Sequence, residues 1–273
     1  GFMQGRLVAK VNGKIQAFPI RDWKHEFFLA AQHSFTFMEW TVDRYNIFDN
    51  PIMTDTGQLE IVGLAREHRI NIKSITADCC MQKPFWKETN SDIRRKEVQI
   101  LKHLIDGCGR IGAKIIVLPV VDNSAFEDTA EQQLLFEGVS EVTDLLKSNN
   151  IKIAFEIDYP PEDITKFIRV FDEDTFGINY DTGNSANKGY DVDAEWAAYG
   201  DRILNVHIKD RSHNGSTTRL GTGDVDFQKF KSNLKKQRYN GMCILQTARS
   251  FVNKELDETL LNADFIRNLF NEQ

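Results

Sequence analysis

Short apolar runs alternate with longer amphipathic stretches along the whole chain, and the two carry different periods. The short runs cover 1–4, 35–40, 71–76, 113–119, 151–157, 176–181, 203–209 and 242–246. Runs of this length, largely apolar and bounded by turn residues, predict strands. Between them, stretches such as 22–33, 92–112 and 131–150 space their apolar residues three and four apart, which predicts helices with one core-facing stripe. Several strands follow a glycine, an asparagine or a basic residue just past a helix, the usual way a helix is ended. Eight such βα units in about 250 residues are what a (β/α)8 barrel requires. An open doubly wound sheet alternates in the same way, but no GxGxxG turn follows the first strand here. The expected fold is therefore α/β, a single (β/α)8 TIM barrel occupying 1–273 with its active site at the C-terminal ends of the strands.

Composition narrows the setting. With 41% hydrophobic and 27% charged residues the chain has an ordinary globular balance. No apolar run approaches the roughly 18 residues of a membrane span, and the opening residues lack the basic and apolar regions of a signal peptide. A net charge of −6 argues against a nucleic-acid partner, which calls for a basic stripe. Cys79, Cys80, Cys108 and Cys243 form no CxxC pattern, so a reduced, cytoplasmic compartment is expected and no membrane association.

Chemistry enters at the strand ends. The fifth run closes on Glu156, the sixth on Asp181, the seventh carries His207 and the eighth ends on Gln246. A barrel brings these four to one side of its mouth. Taken singly, each is more often a solvated cap or a satisfied polar residue; four consecutive strand ends of ligand type make a metal site worth weighing. One imidazole, two carboxylates and a neutral amide oxygen suit a single divalent ion such as Mn²⁺, Mg²⁺ or Co²⁺, and match structural zinc less well.

The segments "MQGRL" at 3–7, "FEID" at 155–158, "DTGN" at 181–184, "HIKDR" at 207–211, "LGTGDVDF" at 220–227 and "LQTAR" at 245–249 together resemble the sugar phosphate isomerase/epimerase family of the xylose-isomerase-like barrels. The likeness runs from the first strand to the last. It implies that Glu156, Asp181, His207 and Gln246 hold the metal, that Glu156 is the catalytic base, and that the substrate is a sugar or sugar phosphate turned over through an enediolate. Barrels of this group often pair, so a homodimer is also an expectation. In the related ketose 3-epimerases a second glutamate stands at the 246 position and moves protons; Gln246 does not transfer a proton at ordinary pH. The reserve donors near the strand ends are Lys209, Asp210, His213, Glu39 and Asp78. Isomerisation, or dehydration of a cyclitol or keto acid, runs with one base and stays open as an alternative. So does a metal-binding sugar sensor without turnover.

Several positions are candidate substrate contacts. Lys209, Arg211 and Arg249 put positive charge around the seventh and eighth strands, where barrels commonly hold phosphate, and Arg6 follows the first strand. The amides of 220–224 could add to such a site, although a tight loop entering a helix is the plainer reading. Asn184 and His213 stand where the related epimerases carry a histidine and an arginine. Glu162 lies six residues past Glu156, where those epimerases place a substrate-contacting glutamate; as an acid just after Pro160 and Pro161 it is better read as a first-turn helix residue. Phe85 and Trp86 either shield substrate or pack a loop. The histidine-rich trinuclear zinc cluster of the apurinic endonucleases is not matched, since Asn184 occupies one of its positions.

Overall fold

The computed structural model describes residues 1–271. The chain begins with β1 (Phe2–Met3), α1 (Trp23–Gln32), β2 (Met38–Thr41), α2 (Asp55–His68), β3 (Ser74–Thr76), α3 (Asp78–Gln82) and α4 (Ser91–Ile111). It continues through β4 (Ile115–Pro119), α5 (Thr129–Ser140), α6 (Thr143–Asn149), β5 (Lys152–Glu156), α7 (Pro161–Ile168), β6 (Phe176–Asp181), α8 (Thr182–Lys188) and α9 (Val192–Tyr199). It ends with β7 (Ile203–Ile208), a small hairpin of β8 (Asp210–Arg211) and β9 (Thr217–Thr218), α10 (Phe227–Lys236), β10 (Met242–Leu245) and α11 (Glu255–Asn271).

Eight parallel strands close into a barrel in the order β1, β10, β7, β6, β5, β4, β3, β2. All eight expected strands form, each within a residue or two of its sequence pattern or shorter than it. The β8–β9 hairpin is an addition to the expected elements; it is an antiparallel pair outside the barrel, in the loop after β7. The 131–150 stretch, expected as one helix, divides at Glu141–Val142 into α5 and α6. Its second half then ends on Asn150 in the left-handed conformation (φ 53°), which turns the chain directly into β5. The longest helix, α4, is fixed at both ends. The Asn90 side chain accepts from the Asp92 and Ile93 amides, and Gly112 (φ 82°) supplies the left-handed residue that stops it.

The core lies between the barrel wall and the surrounding helices. Phe155 and Phe176 stack at 5.9 Å between ring centroids, and Phe167 and Phe171 from the α7 region pack onto them. Phe85 and Trp86 belong to this scaffolding: both are buried, and Trp86 Nε1 donates to the Ser124 carbonyl at 2.8 Å. Both pack a loop against the core. No helix among the described residues is long and apolar enough to cross a membrane.

Inside the barrel the lining is polar. Side chains two apart on one strand share a face, so Ser74 and Thr76, Asn179 and Asp181, and Asn205 and His207 form inward-facing pairs. Parallel register sets them level: Asn179 is opposite Asn205, and Asp181 is opposite His207. The site is thus a consequence of strand phase.

Candidate active site

His207 is the centre of the inward layer. It is fully buried, with Nε2 at 2.6 Å from Glu39 Oε1 on β2 and Nδ1 at 2.9 Å from Glu156 Oε2 on β5. Glu39 is held from four directions. Ser74 Oγ and Thr76 Oγ1 each donate to it at 2.6 Å, Asn205 Nδ2 donates at 2.9 Å, and the His207 ring closes the set. Glu156 accepts from Asn179 Nδ2 at 2.8 Å and from Asn184 Nδ2 at 3.2 Å. Asp181 caps α8, taking the Asn184 amide on Oδ1 at 2.9 Å, which turns Oδ2 toward the barrel axis.

Burial works against a charged imidazole at His207, yet Glu39 and Glu156 outweigh it and lift its pKa to about 10. Burial likewise acts to raise Glu39 and Glu156, but the His207 charge prevails and both fall below the usual carboxylate range. Asp181 moves the other way. Burial raises it, Glu156 adds to that, and Lys209 only partly offsets it.

Three carboxylates therefore face one imidazole and one ammonium, an arrangement with an anionic surplus. Glu156, Asp181 and His207 each bring a ligand atom to within 4.8 Å of the others. Asp181 Oδ2 and His207 Nδ1 are buried and make no aligned hydrogen bond, although Lys209 Nζ and Glu156 Oε2 stand close at 2.6 and 2.9 Å. Two oxygen donors and one nitrogen converging from three adjacent strands fit a divalent cation. A proton and a metal ion would compete for the same His207 nitrogen.

Gln246 follows β10, and its amide continues the ladder by donating to the Ile208 carbonyl at 3.0 Å. Its Oε1 accepts from Lys209 Nζ at 3.0 Å, so the lysine spans Gln246 and Asp181. Asn184 braces Glu156 on one side and accepts from Arg211 Nη1 at 3.0 Å on the other.

Other expected contacts have partners of their own. Arg6 is buried and spends Nε on the Thr247 carbonyl and Nη1 on the Ile15 carbonyl, at 3.1 and 3.0 Å. Arg249 pairs with Glu255 at 2.9 Å and donates to the Val8 carbonyl at 2.7 Å. The sequence presents both as anion contacts; both instead tie β1 and β10 loops together, because a buried guanidinium takes partners wherever the backbone offers carbonyls. Glu162 is exposed in the first turn of α7, the helix-acid reading. His213 is exposed at the tip of the β8–β9 hairpin.

Asp210 is not a reserve proton donor. It is fully buried and accepts from the Gly221, Gly223 and Val225 amides at 2.8, 2.9 and 3.2 Å. The 220–225 loop thus spends its amides on a carboxylate of its own chain. Replacing Asp210 with alanine strands three part-buried amides and is expected to cost about 2 kcal/mol, read from the urea midpoint. Glu39, also named as a reserve donor, is locked beneath the site by its four donors.

Asn179 and Asn205 are not singled out by the sequence pattern. Their signal is present all the same: each stands two residues before a candidate ligand, on the same strand face.

Residues 27–269 match the family model described as xylose isomerase-like TIM barrel. The chain belongs to that family. Among its relatives, the L-ribulose-5-phosphate 3-epimerase UlaE of Salmonella paratyphi A is 25% identical over 232 residues, covering 82% of this chain and 81% of the relative. An inosose dehydratase of Clostridium perfringens is 22% identical over 194 residues, covering 58% of this chain and 65% of the relative. A D-tagatose 3-epimerase-like protein superposes with a TM-score of 0.73 at 17% identity, over 99% and 97% of the two chains. The IolI protein, solved with a bound zinc atom, superposes with a TM-score of 0.77 at 14% identity, over 98% and 96%. Homologues of this xylose isomerase-like barrel are thus sugar epimerases and dehydratases.

Proposed function

We propose that this barrel is a divalent-metal-dependent epimerase or isomerase of a sugar or sugar phosphate, with Glu156, Asp181, His207 and Gln246 as metal ligands and Glu156 as base. The observation that carries this reading is the convergence of the Glu156, Asp181 and His207 ligand atoms at the C-terminal ends of three neighbouring strands. The oxygen-rich set with a single imidazole suits Mn²⁺, Mg²⁺ or Co²⁺. Such an ion supplies Lewis-acid polarisation of the substrate's oxygens.

The chain's own residues do the rest. Glu156, kept ionised and held by Asn179 and Asn184, takes the proton from the carbon next to the substrate carbonyl. Glu39 fixes the His207 ring by its Nε2, leaving Nδ1 facing Glu156 and Asp181. Lys209, close to both Asp181 and Gln246, presents a positive charge to the negative charge developing on the substrate.

Chelation tests the metal. Stripping the protein with a strong chelator is expected to lower turnover by at least 100-fold, with recovery on adding Mn²⁺, Mg²⁺ or Co²⁺. Full activity in a preparation shown by elemental analysis to be metal-free would sink the reading. The reaction type follows from D-fructose, D-psicose, L-ribulose 5-phosphate and an inosose incubated in deuterated water. Deuterium at the substrate carbon means proton transfer.

A second reading, dehydration, is favoured by the inosose dehydratase relatives and by the amide at 246. It predicts loss of water from the inosose with no epimer formed.

A further inference from the structure

An epimerase has to take a proton from one face of a carbon and return one to the other. Resting on the sugar-epimerase reading above, we propose that Asp78 is the second proton carrier of this site, approaching the substrate from the β3 side of the barrel mouth, across from His207.

Topology supplies the placement. In the closed order of strands, β3 lies diametrically across from β7 and two strands from β5. Asp78 is the first residue of α3, two beyond the end of β3, on the mouth across from the His207 strand and about a quarter-turn from the Glu156 strand. It is only 3% exposed, and its Oδ2 is buried with no hydrogen-bond partner. The charges of Glu156 and His207 act on its titration, and its own charge acts on that of Arg6.

Its neighbours point the same way. Gln16 lies against the Asp78 carboxyl, and Gln16 Oε1 is itself buried and unpartnered. Gln4 Nε2 and Thr247 Oγ1 are unpartnered as well. A buried polar group left without a partner costs stability, so a group of them at one end of a barrel marks where a polar guest completes the hydrogen bonds. Sugar hydroxyls have that chemistry.

Other candidates are spent. Glu39 holds four donors, Asp210 three amides, and Asp43 accepts from the Phe18 amide at 2.6 Å and from Gln82 Nε2 at 2.8 Å. The Gln246 amide has no proton to transfer at neutral pH. Burial, with Asp43 and Glu156 nearby, raises the Asp78 pKa well above the ordinary carboxylate value, so it keeps its proton.

The step balances. The C–H bond breaks, its proton goes to the Glu156 carboxylate, and its electron pair enters the enediolate. The Asp78 O–H bond then breaks, its electron pair stays on the carboxylate, and the enediolate pair forms a new C–H bond on the other face. Glu156 is left protonated and Asp78 ionised, and both reset by exchange with water once product leaves.

The test is Asp78→Asn in deuterated water with D-fructose, D-psicose and L-ribulose 5-phosphate, followed by proton NMR. The expected result is deuterium entering the substrate carbon with configuration retained, at a rate within about tenfold of wild type, while inversion falls at least 100-fold. Inversion at the wild-type rate overturns the assignment. So does loss of exchange and inversion together in a folded variant. Infrared difference spectra separate this proposal from the sugar-epimerase reading. Should no sugar exchange with the wild-type protein, that reading fails. Asp78 is then judged by a neutral-carboxyl stretch that disappears in Asp78→Asn and persists in Glu26→Gln. Its absence from the wild-type spectrum refutes the proposal independently of turnover.

Discussion

Exchanging Glu156 for glutamine is expected to lower turnover on any accepted sugar by about 10²- to 10⁴-fold, the usual contribution of a positioned general base. The substitution keeps the volume of the side chain and an amide oxygen able to accept from Asn179 or Asn184. What it removes is the anionic oxygen beside His207 Nδ1 and the capacity to take a proton. The fold therefore survives and metal is retained at reduced affinity, while deuterium exchange disappears. The discriminating set of measurements is thermal unfolding, bound-metal analysis and exchange on the same preparation. Exchange at the wild-type rate in the Glu156→Gln variant would remove Glu156 from the role of base.

The largest effect on stability is expected at Glu39. Alanine there leaves Ser74, Thr76, Asn205 and His207 facing an empty, fully buried space, and strips the His207 charge of one of its two partners. Removing one member of a buried charge pair costs about 3–5 kcal/mol, most of it from stranding the partner. Urea unfolding measures that loss. Glu39→Gln separates stability from positioning, because its amide oxygen can still accept from His207 while the charge is gone. That variant is expected to stay folded and to bind Mn²⁺ about 10- to 100-fold more weakly, the range for an outer partner of a metal-bound histidine. Unchanged Mn²⁺ affinity in folded Glu39→Gln would show that Glu39 only fills the barrel.

Much of the architecture is legible before any coordinates. The eight strands stand out because each is short, largely apolar and bounded by turn residues. The convergence of Glu156, Asp181 and His207 follows from chain direction, since parallel strands put all their C-terminal ends on one face. Less legible is what each polar residue touches. Arg6 and Arg249 read as anion contacts because both follow barrel strands. The loops fold over them instead, with backbone carbonyls and Glu255 taking up their donors. The glycine-rich loop reads more plainly as a tight turn than as a phosphate cradle, but what its amides bind rests on Asp210, which lies more than ten residues away in the chain.

Periodicity and chain direction, both local properties, determined from sequence alone the barrel, the mouth on which chemistry gathers, and which strand ends carry ligand-type side chains. Tertiary structure alone decided how the charges are shared. Glu39 is 168 residues from His207 in the chain and touches its ring, and Lys209 bridges Asp181 and Gln246 from a third strand end. Contacts of that kind depend on barrel closure and strand phase, because Coulomb and hydrogen-bond energies are set by distances in space that no sequence spacing records.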